Sequence, residues 1–320
     1  MFEHLRATDV LAAAQRIAPH VKRTPLVRSE GLSRVAGGDV FLKLENQQTT
    51  GSFKLRGATN ALACLNREQR ERGVVASSAG NHGMGVALAA KTLGIRAKIF
   101  VPKTAPDVKK AGIRALGAEL DDAQPDYDAA QAAAIAESRA SGREFINPCL
   151  GDNLLAGQGT VALEVLADIP GLRSFVVNVG GGGLLAGCAS LIRKVAPDVR
   201  IYGVQSENTD AMARSLAAGR IVEVEIKPTL ADGLSGQIDD DAFDIGRQAL
   251  DEIATVTEQQ IADAIAWLHR EHDARVEGAG ACGVAGMLAG KFRPATPCVV
   301  VVSGGNIDDA RWKKIVHKME

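Results

Sequence analysis

"GVVASSAGNHGMGVALAAKTLGIRAKIFVP", residues 73–102, is the stretch that decides the fold. It opens on a short β-branched run, "GVVASS", passes through "GMGVALAAKTLG" with the spacing of a helix, and ends on "AKIFVP", a second strand-like run. Two strands separated by a helix cannot form a hairpin, so the unit is a crossover between parallel strands.

Outward from there the alternation continues. "APDVKKAGIRALG" (105–117) and "DYDAAQAAAIAESRASG" (126–142) are helical, and "EFINP" (144–148) closes the unit as a strand. The second half repeats the rhythm with longer elements: helix "LLAGQGTVALEVLAD", strand "SFVVNV", helix "GLLAGCASLIRKVA" and strand "VRIYGVQ". Thr257 and Gln260 have the spacing of a capping box before "IADAIAWLHREHD", and "PCVVVVSGG" reads as a fully buried central strand. This order predicts two intertwined α/β domains with open, mostly parallel sheets and helices on both faces. The small domain is assigned to 73–150 and the large one to 1–72 plus 151–320.

Composition narrows the function. The 320 residues are 46% hydrophobic and 23% charged, with a formal net charge of −1, which is the profile of a soluble globular protein. Lys and Arg are scattered, and aromatics make up 4%, so nucleic-acid or anionic-membrane binding is not expected. No apolar run reaches the roughly 18–20 residues of a membrane span. The N-terminal segment reads as an amphipathic helix rather than a secretory signal. Five dispersed cysteines without a C-x-x-C argue for a reducing cytoplasm and against a disulfide framework or a zinc site. His269 and His272, three apart on a helix, suggest no third ligand and read as a solvated helix face.

Chemistry concentrates in small-residue turns. "VVNVGGGGLLAG" (176–187) places four glycines between strand and helix, exposing backbone N–H groups that suit a phosphate. Gly181, Gly183 and Ala186 also fit a dinucleotide fingerprint, with Glu207 at the distance of a ribose-binding acid, so a nicotinamide oxidoreductase is a rival at this point. "SSAGNHGMG" (77–85) is a second such turn, fit to hold a carboxylate on backbone N–H groups. Lys54, in "TGSFKLRGA", stands where a helix is predicted to start at about Ser52; an amine there is placed to attack a carbonyl, although taken alone it fits a surface lysine on a first helical turn better. Ser303 ends the buried valine strand. An amine, two anion cradles and a lone hydroxyl describe a site for a phosphorylated aromatic aldehyde together with an amino acid.

The whole pattern resembles fold-type-II pyridoxal-phosphate enzymes of the threonine dehydratase and serine racemase family, with a tryptophan-synthase-β-like architecture. The resemblance runs from "RTPLVRSEGLS" through "KLENQQTTGSFKLRGA", "SSAGNHGMGVALAA", "AGQGTVALEVL" and "VGGGGLLAG" to "VVVVSGGNID". It implies that Lys54 bonds pyridoxal 5'-phosphate covalently and that Phe53 packs beside the ring. Asn81 would meet the ring's 3-oxygen, and Gly180, Gly181, Gly182, Gly183 and Leu184 would cradle the phosphate. Ser303 would face the pyridine nitrogen, and Ser78, Ala79, Gly80, Asn81 and His82 would grip the substrate carboxylate. Cys149 would line the pocket for the substrate side chain.

The activity so implied is a lyase: β-elimination from an L-3-hydroxy amino acid by a cytoplasmic homodimer. Racemisation is the alternative within the family, and the residue that carries its second acid–base is here Ala79. Metal-activated relatives place acids where this chain has Gln205 and Ala211, so no metal is expected, although Glu207 and Asp210 lie close by. The chain ends about a dozen residues after "SGGNID", so an effector-binding domain and feedback control are not expected either.

Overall fold

The computed structural model describes residues 4–78, 80–105 and 107–317. Its strands form two sheets. The six-stranded sheet has the order β1-β2-β10-β7-β8-β9, with β1 Leu26–Arg28, β2 Val40–Leu44, β7 Ser174–Asn178, β8 Arg200–Ser206, β9 Glu252–Val256 and β10 Cys298–Val302. The four-stranded sheet has the order β5-β4-β3-β6, with β3 Val74–Ser77, β4 Ala97–Pro102, β5 Glu119–Gln124 and β6 Glu144–Phe145. Every ladder between these strands is parallel except that of β1 with β2. The mostly parallel α/β architecture read from the sequence is the architecture found.

Burial on both faces explains the valine run. In β10, Val299 and Val301 feed one hydrophobic core, whereas Cys298, Val300 and Val302 feed the other. Alternate side chains of a strand point to opposite faces, so a strand covered by helices on both sides must be apolar at every position. The helices also start where their sequence says. Thr257 Oγ1 accepts from Gln260 N at 3.1 Å and Gln260 Oε1 accepts from Thr257 N at 2.9 Å, closing the capping box.

The second sheet is built wholly from residues 74–145, and its outer strand escapes the hydrophobic pattern. β5, "ELDDAQ", has three acids and no β-branched residue. Lys98 on β4 holds it, with Nζ 3.6 Å from Glu119 and 3.3 Å from Asp121. A cross-strand charge pair on an edge strand does here what apolar contact does at the centre.

Three helices pack closely beside the large sheet: Lys54–Ala63, Asp152–Asp168 and Gly183–Val195. A methyl group at Gly157 would lie 2.6 Å from the Arg56 carbonyl oxygen, so only glycine lets the first two helices approach this far. The "AGQGT" stretch is therefore a packing feature of the fold.

Candidate active site

The large sheet has its topological switch point between β7 and β10. From β7 the chain runs through β8 to β9 in one direction, whereas β10 and β2 lie on the other side. In open α/β sheets the crevice at the carboxyl ends of such strands is where ligands bind. Lys54 follows β2, Ser303 ends β10 and the glycine loop follows β7, so topology alone brings the three to one rim.

Hydrogen bonds then tie the segment just before Lys54 to the turn that carries Ser303. Ser52 and Gly304 form an antiparallel bridge, Phe53 N donates to Ser303 O at 3.2 Å, and Gly305 N donates to Gly51 O at 2.9 Å. That bridge keeps Ser52 extended, and the helix starts at Lys54 instead of about Ser52. Lys54 is half-buried, with Nζ donating to the Pro148 carbonyl at 2.7 Å and 5.3 Å from the centre of the Phe53 ring. Behind it lies a buried cluster of two cations and two anions. Arg56, with no exposed surface, donates to both Glu45 oxygens at 2.8 Å and to Glu164 at 2.7 Å, and Lys43 meets Glu164 at 2.6 Å. Burial alone disfavours charge on Arg56, yet Glu45 and Glu164 overcome this and raise its pKa.

Ser303 is aimed by a residue that pattern reading missed. Asn178, the last residue of β7, donates through Nδ2 to Ser303 Oγ at 3.2 Å and accepts from Gly283 N at 2.6 Å. With that lone pair engaged, the Ser303 hydrogen reaches the Ala279 carbonyl only at 3.5 Å and stays available as a donor.

The glycine loop is pressed from the other side by the 147–150 segment. A methyl at Gly181 would lie 2.9 Å from Cys149 Sγ, and one at Gly183 would lie 2.9 Å from Cys149 Cα. Gly182 takes φ +83° as the chain turns into the Gly183–Val195 helix, whose first turn, with Leu184, leaves N–H groups without helical acceptors. Cys149 thus touches the loop assigned to phosphate, while its neighbour Pro148 holds Lys54.

The second turn leads into the helix Asn81–Leu93. Ser78 Oγ accepts from Gly80 N at 3.1 Å, closing the turn, and Ala79 lies outside the described residues. His82 is turned away, its Nε2 hydrogen-bonded to the Ile146 carbonyl at 2.8 Å. A carbonyl only accepts, so Nε2 carries the hydrogen and the buried Nδ1 is left as a lone pair without a partner. Burial, reinforced by the Lys54 charge, pushes the pKa of His82 down to about 3, so its ring is a neutral acceptor and can give a carboxylate no second N–H. Asn81 donates through Nδ2 to Glu277 Oε1 at 2.7 Å. Glu277 is the second group missed in sequence, although it is the lone acid between Asp273 and Asp308. Burial raises its carboxyl to about 7, against the pull of the Asn81 hydrogen bond.

These residues fit one group. A glycine loop at a helix start, its surroundings filled wherever a Cβ would stand, offers neutral N–H donors to a phosphate. Lys54, Ser303 and Asn81 offer an amine, a hydroxyl and an amide to an aldehyde-bearing ring. Fold and site together define an α/β enzyme that works through a phosphorylated aldehyde. The chain belongs to the family of pyridoxal-phosphate dependent enzymes, whose profile matches residues 17–304. It is 43% identical over 311 residues to an L-threonine ammonia-lyase of Thermotoga maritima, covering 97% of this chain and 78% of the relative. Among solved structures it is similar to maize serine racemase, with TM-score 0.91 and 32% identity over 98% of this chain and 97% of that one. The processed form of threonine deaminase isoform 2 from Solanum lycopersicum gives 0.90 and 32%, over 97% and 86%. The cofactor is pyridoxal 5'-phosphate, and the nicotinamide reading of the glycine loop gives way to it.

Proposed function

We propose that the protein is a dehydratase (ammonia-lyase) that converts an L-3-hydroxy amino acid to a 2-oxo acid and ammonia. The observation that carries the reading is the junction of Lys54 with Ser303 at the switch point, beside the glycine loop. Relatives named as threonine ammonia-lyases support the substrate class.

When bound, the cofactor supplies an electron sink conjugated with the substrate's α-carbon. Lys54 Nζ removes the α-proton as general base. Ser303, aimed by Asn178, gives the ring nitrogen a hydroxyl rather than a carboxylate, so the sink is mild and prompt loss of the β-hydroxyl is favoured over a long-lived carbanion. The N–H groups of Gly180–Gly183 and Leu184 would hold the phosphate, Phe53 would lie beside the ring, and the Ser78–His82 turn would grip the substrate carboxylate. The released enamine tautomerises to an imine, and water hydrolyses that to the 2-oxo acid and ammonia. Ala79 has no exchangeable proton to deliver to the face opposite Lys54, which favours elimination over racemisation.

In this reading Cys149 borders the side-chain pocket. The 147–153 loop brings no Lys or Arg to meet a second carboxylate, and each methylene-sized group buried there is worth about 0.8 kcal/mol. Threonine and serine are the expected substrates, with phenylserine close behind. Comparing kcat/KM for threonine, phenylserine and 3-hydroxyaspartate, with chiral analysis of serine incubations, tests the reading. A preference for 3-hydroxyaspartate, or D-serine formed as fast as pyruvate, counts against it.

The proposal extends to a cytoplasmic homodimer; the five free cysteines suit a reducing compartment. It includes independence from divalent metal. Gln205, at a position where metal-activated relatives carry an acid, is buried, and its Oε1 accepts from Ala213 N at 2.9 Å, so a neutral amide already fills that place. EDTA should leave turnover within about twofold, because a hard cation prefers carboxylate oxygens. A several-fold loss restored by magnesium would contradict this.

A further inference from the structure

We propose that Glu277 is the positioning residue that fixes the orientation of the Asn81 amide, so that one Asn81 N–H stays available to the cofactor's ring oxygen. The inference rests on the reading that Asn81 meets that oxygen, and it deepens that reading by naming what aims the amide.

Glu277 stands at the N-cap of the helix Gly278–Leu288, with extended backbone at φ −81° and ψ 162°, yet its side chain does not cap that helix. The carboxylate turns instead to Asn81. It is 6% exposed, and it fills the space over Gly304, where a methyl group would lie 2.1 Å from Oε1. The Asp232 and Lys109 charges and the nearby Asn306 backbone N–H act on it more weakly than burial and the Asn81 hydrogen bond. A buried carboxyl that could be replaced by a packed hydrophobe is costly to keep, and here its acceptor character is what the neighbours use.

The other end of the Asn81 amide is fixed just as firmly. Asn81 Oδ1 accepts from Asn306 Nδ2 at 2.7 Å, and Asn306 Nδ2 also donates to the Thr50 carbonyl at 2.7 Å. A carbonyl can only accept, so Thr50 sets the direction of the Asn306 amide, and Asn306 in turn sets Asn81. At the far end Glu277 Oε1 accepts, and above about pH 7, where the raised carboxyl is ionised, Glu277 can only accept. Flipping Asn81 would face its oxygen against Glu277 and its NH₂ against the NH₂ of Asn306, two repulsions in place of two hydrogen bonds. In the observed sense one of the two Nδ2 hydrogens is taken by Glu277 and the other is left over. That leftover donor suits an ionised ring oxygen, whereas a flipped amide would present it with a lone pair.

The test measures the cofactor dissociation constant by equilibrium dialysis, with thermal melting of each variant, for Glu277→Leu, Glu277→Gln, Asn306→Leu, Asn81→Ala and the pair Asn81→Ala/Glu277→Leu. Glu277→Leu should weaken cofactor binding about 10-fold or more, the usual effect of removing a group that orients a ligand-binding side chain. Glu277→Gln, which keeps an acceptor, should stay within about threefold of wild type. Asn306→Leu should weaken binding as Glu277→Leu does, and it carries the test if the leucine variant at 277 fails to fold. In the Asn81→Ala background, Glu277→Leu should add less than about twofold, because its effect runs through Asn81. Unchanged affinity in both leucine variants, or an equal loss with and without Asn81, overturns the proposal. Wild-type protein that binds no pyridoxal phosphate would instead sink the reading of the site on which the proposal rests.

Discussion

Lys54→Ala lowers turnover of 3-hydroxy amino acids by about 10³-fold or more, and the cofactor it retains is a free aldehyde. Two separate losses combine in that variant. The amine that carries the cofactor is gone, and so is the base at the substrate's α-hydrogen, for which no substitute is at hand: burial holds the pKa of His82 down at about 3, too weak a base, and Glu277 is committed to Asn81. The binding groups survive, because the glycine loop, Ser303 and Asn81 take their positions from β7, β10 and the Asn81–Leu93 helix. Borohydride should therefore fix the cofactor to the wild-type chain but not to the variant, while phosphate still promotes its binding. Rates near wild type without added amine would refute the assignment.

Arg56→Met, two residues further on, lowers stability by about 3–5 kcal/mol, because it strands carboxylates that have left water. Glu45 has no exposed surface and Glu164 is 13% exposed, so neither can recover hydration in place. Lys43 remains for Glu164 at 2.6 Å, but Glu45 loses both of its Arg56 bonds. The melting temperature should fall on the order of 10 °C, and changing Glu45 together with Arg56 should return part of the loss, since the two charges are coupled. A drop below about 2 °C would show that the cluster is not the support described here.

What the sequence revealed and what it hid follow from burial. Strands β3, β4, β7, β8 and β10 are legible because helices cover both their faces and their central residues are mostly apolar. β5 is not: an edge strand carries no such demand, and its acids look like loop until Lys98 is seen across from them. The helix at Lys54 begins two residues late because a strand-like bridge to Gly304, far away in sequence, competes for Ser52. In the site, Lys54 and the glycine loop announce themselves by local chemistry. Asn178 and Glu277 do not, since each acts on a residue far along the chain. Asn178 looks like one polar residue in a valine strand, and Glu277 looks like a helix cap.

The bridge between the Lys54 segment and the 303–305 turn also sets when this protein can become an enzyme during its own synthesis. Val40 pairs with Cys298, and Phe53 with Ser303, so the lysine must wait for roughly 250 further residues, on the order of 10–50 s of translation. Through that interval the nascent chain presents an amine with no strand β10 beside it, no Ser303 hydroxyl and no closed rim. Cofactor capture is thereby postponed until β10 has been made, and a ribosome that stalls before β10 holds a polypeptide with the glycine loop made and the reaction centre unbuilt.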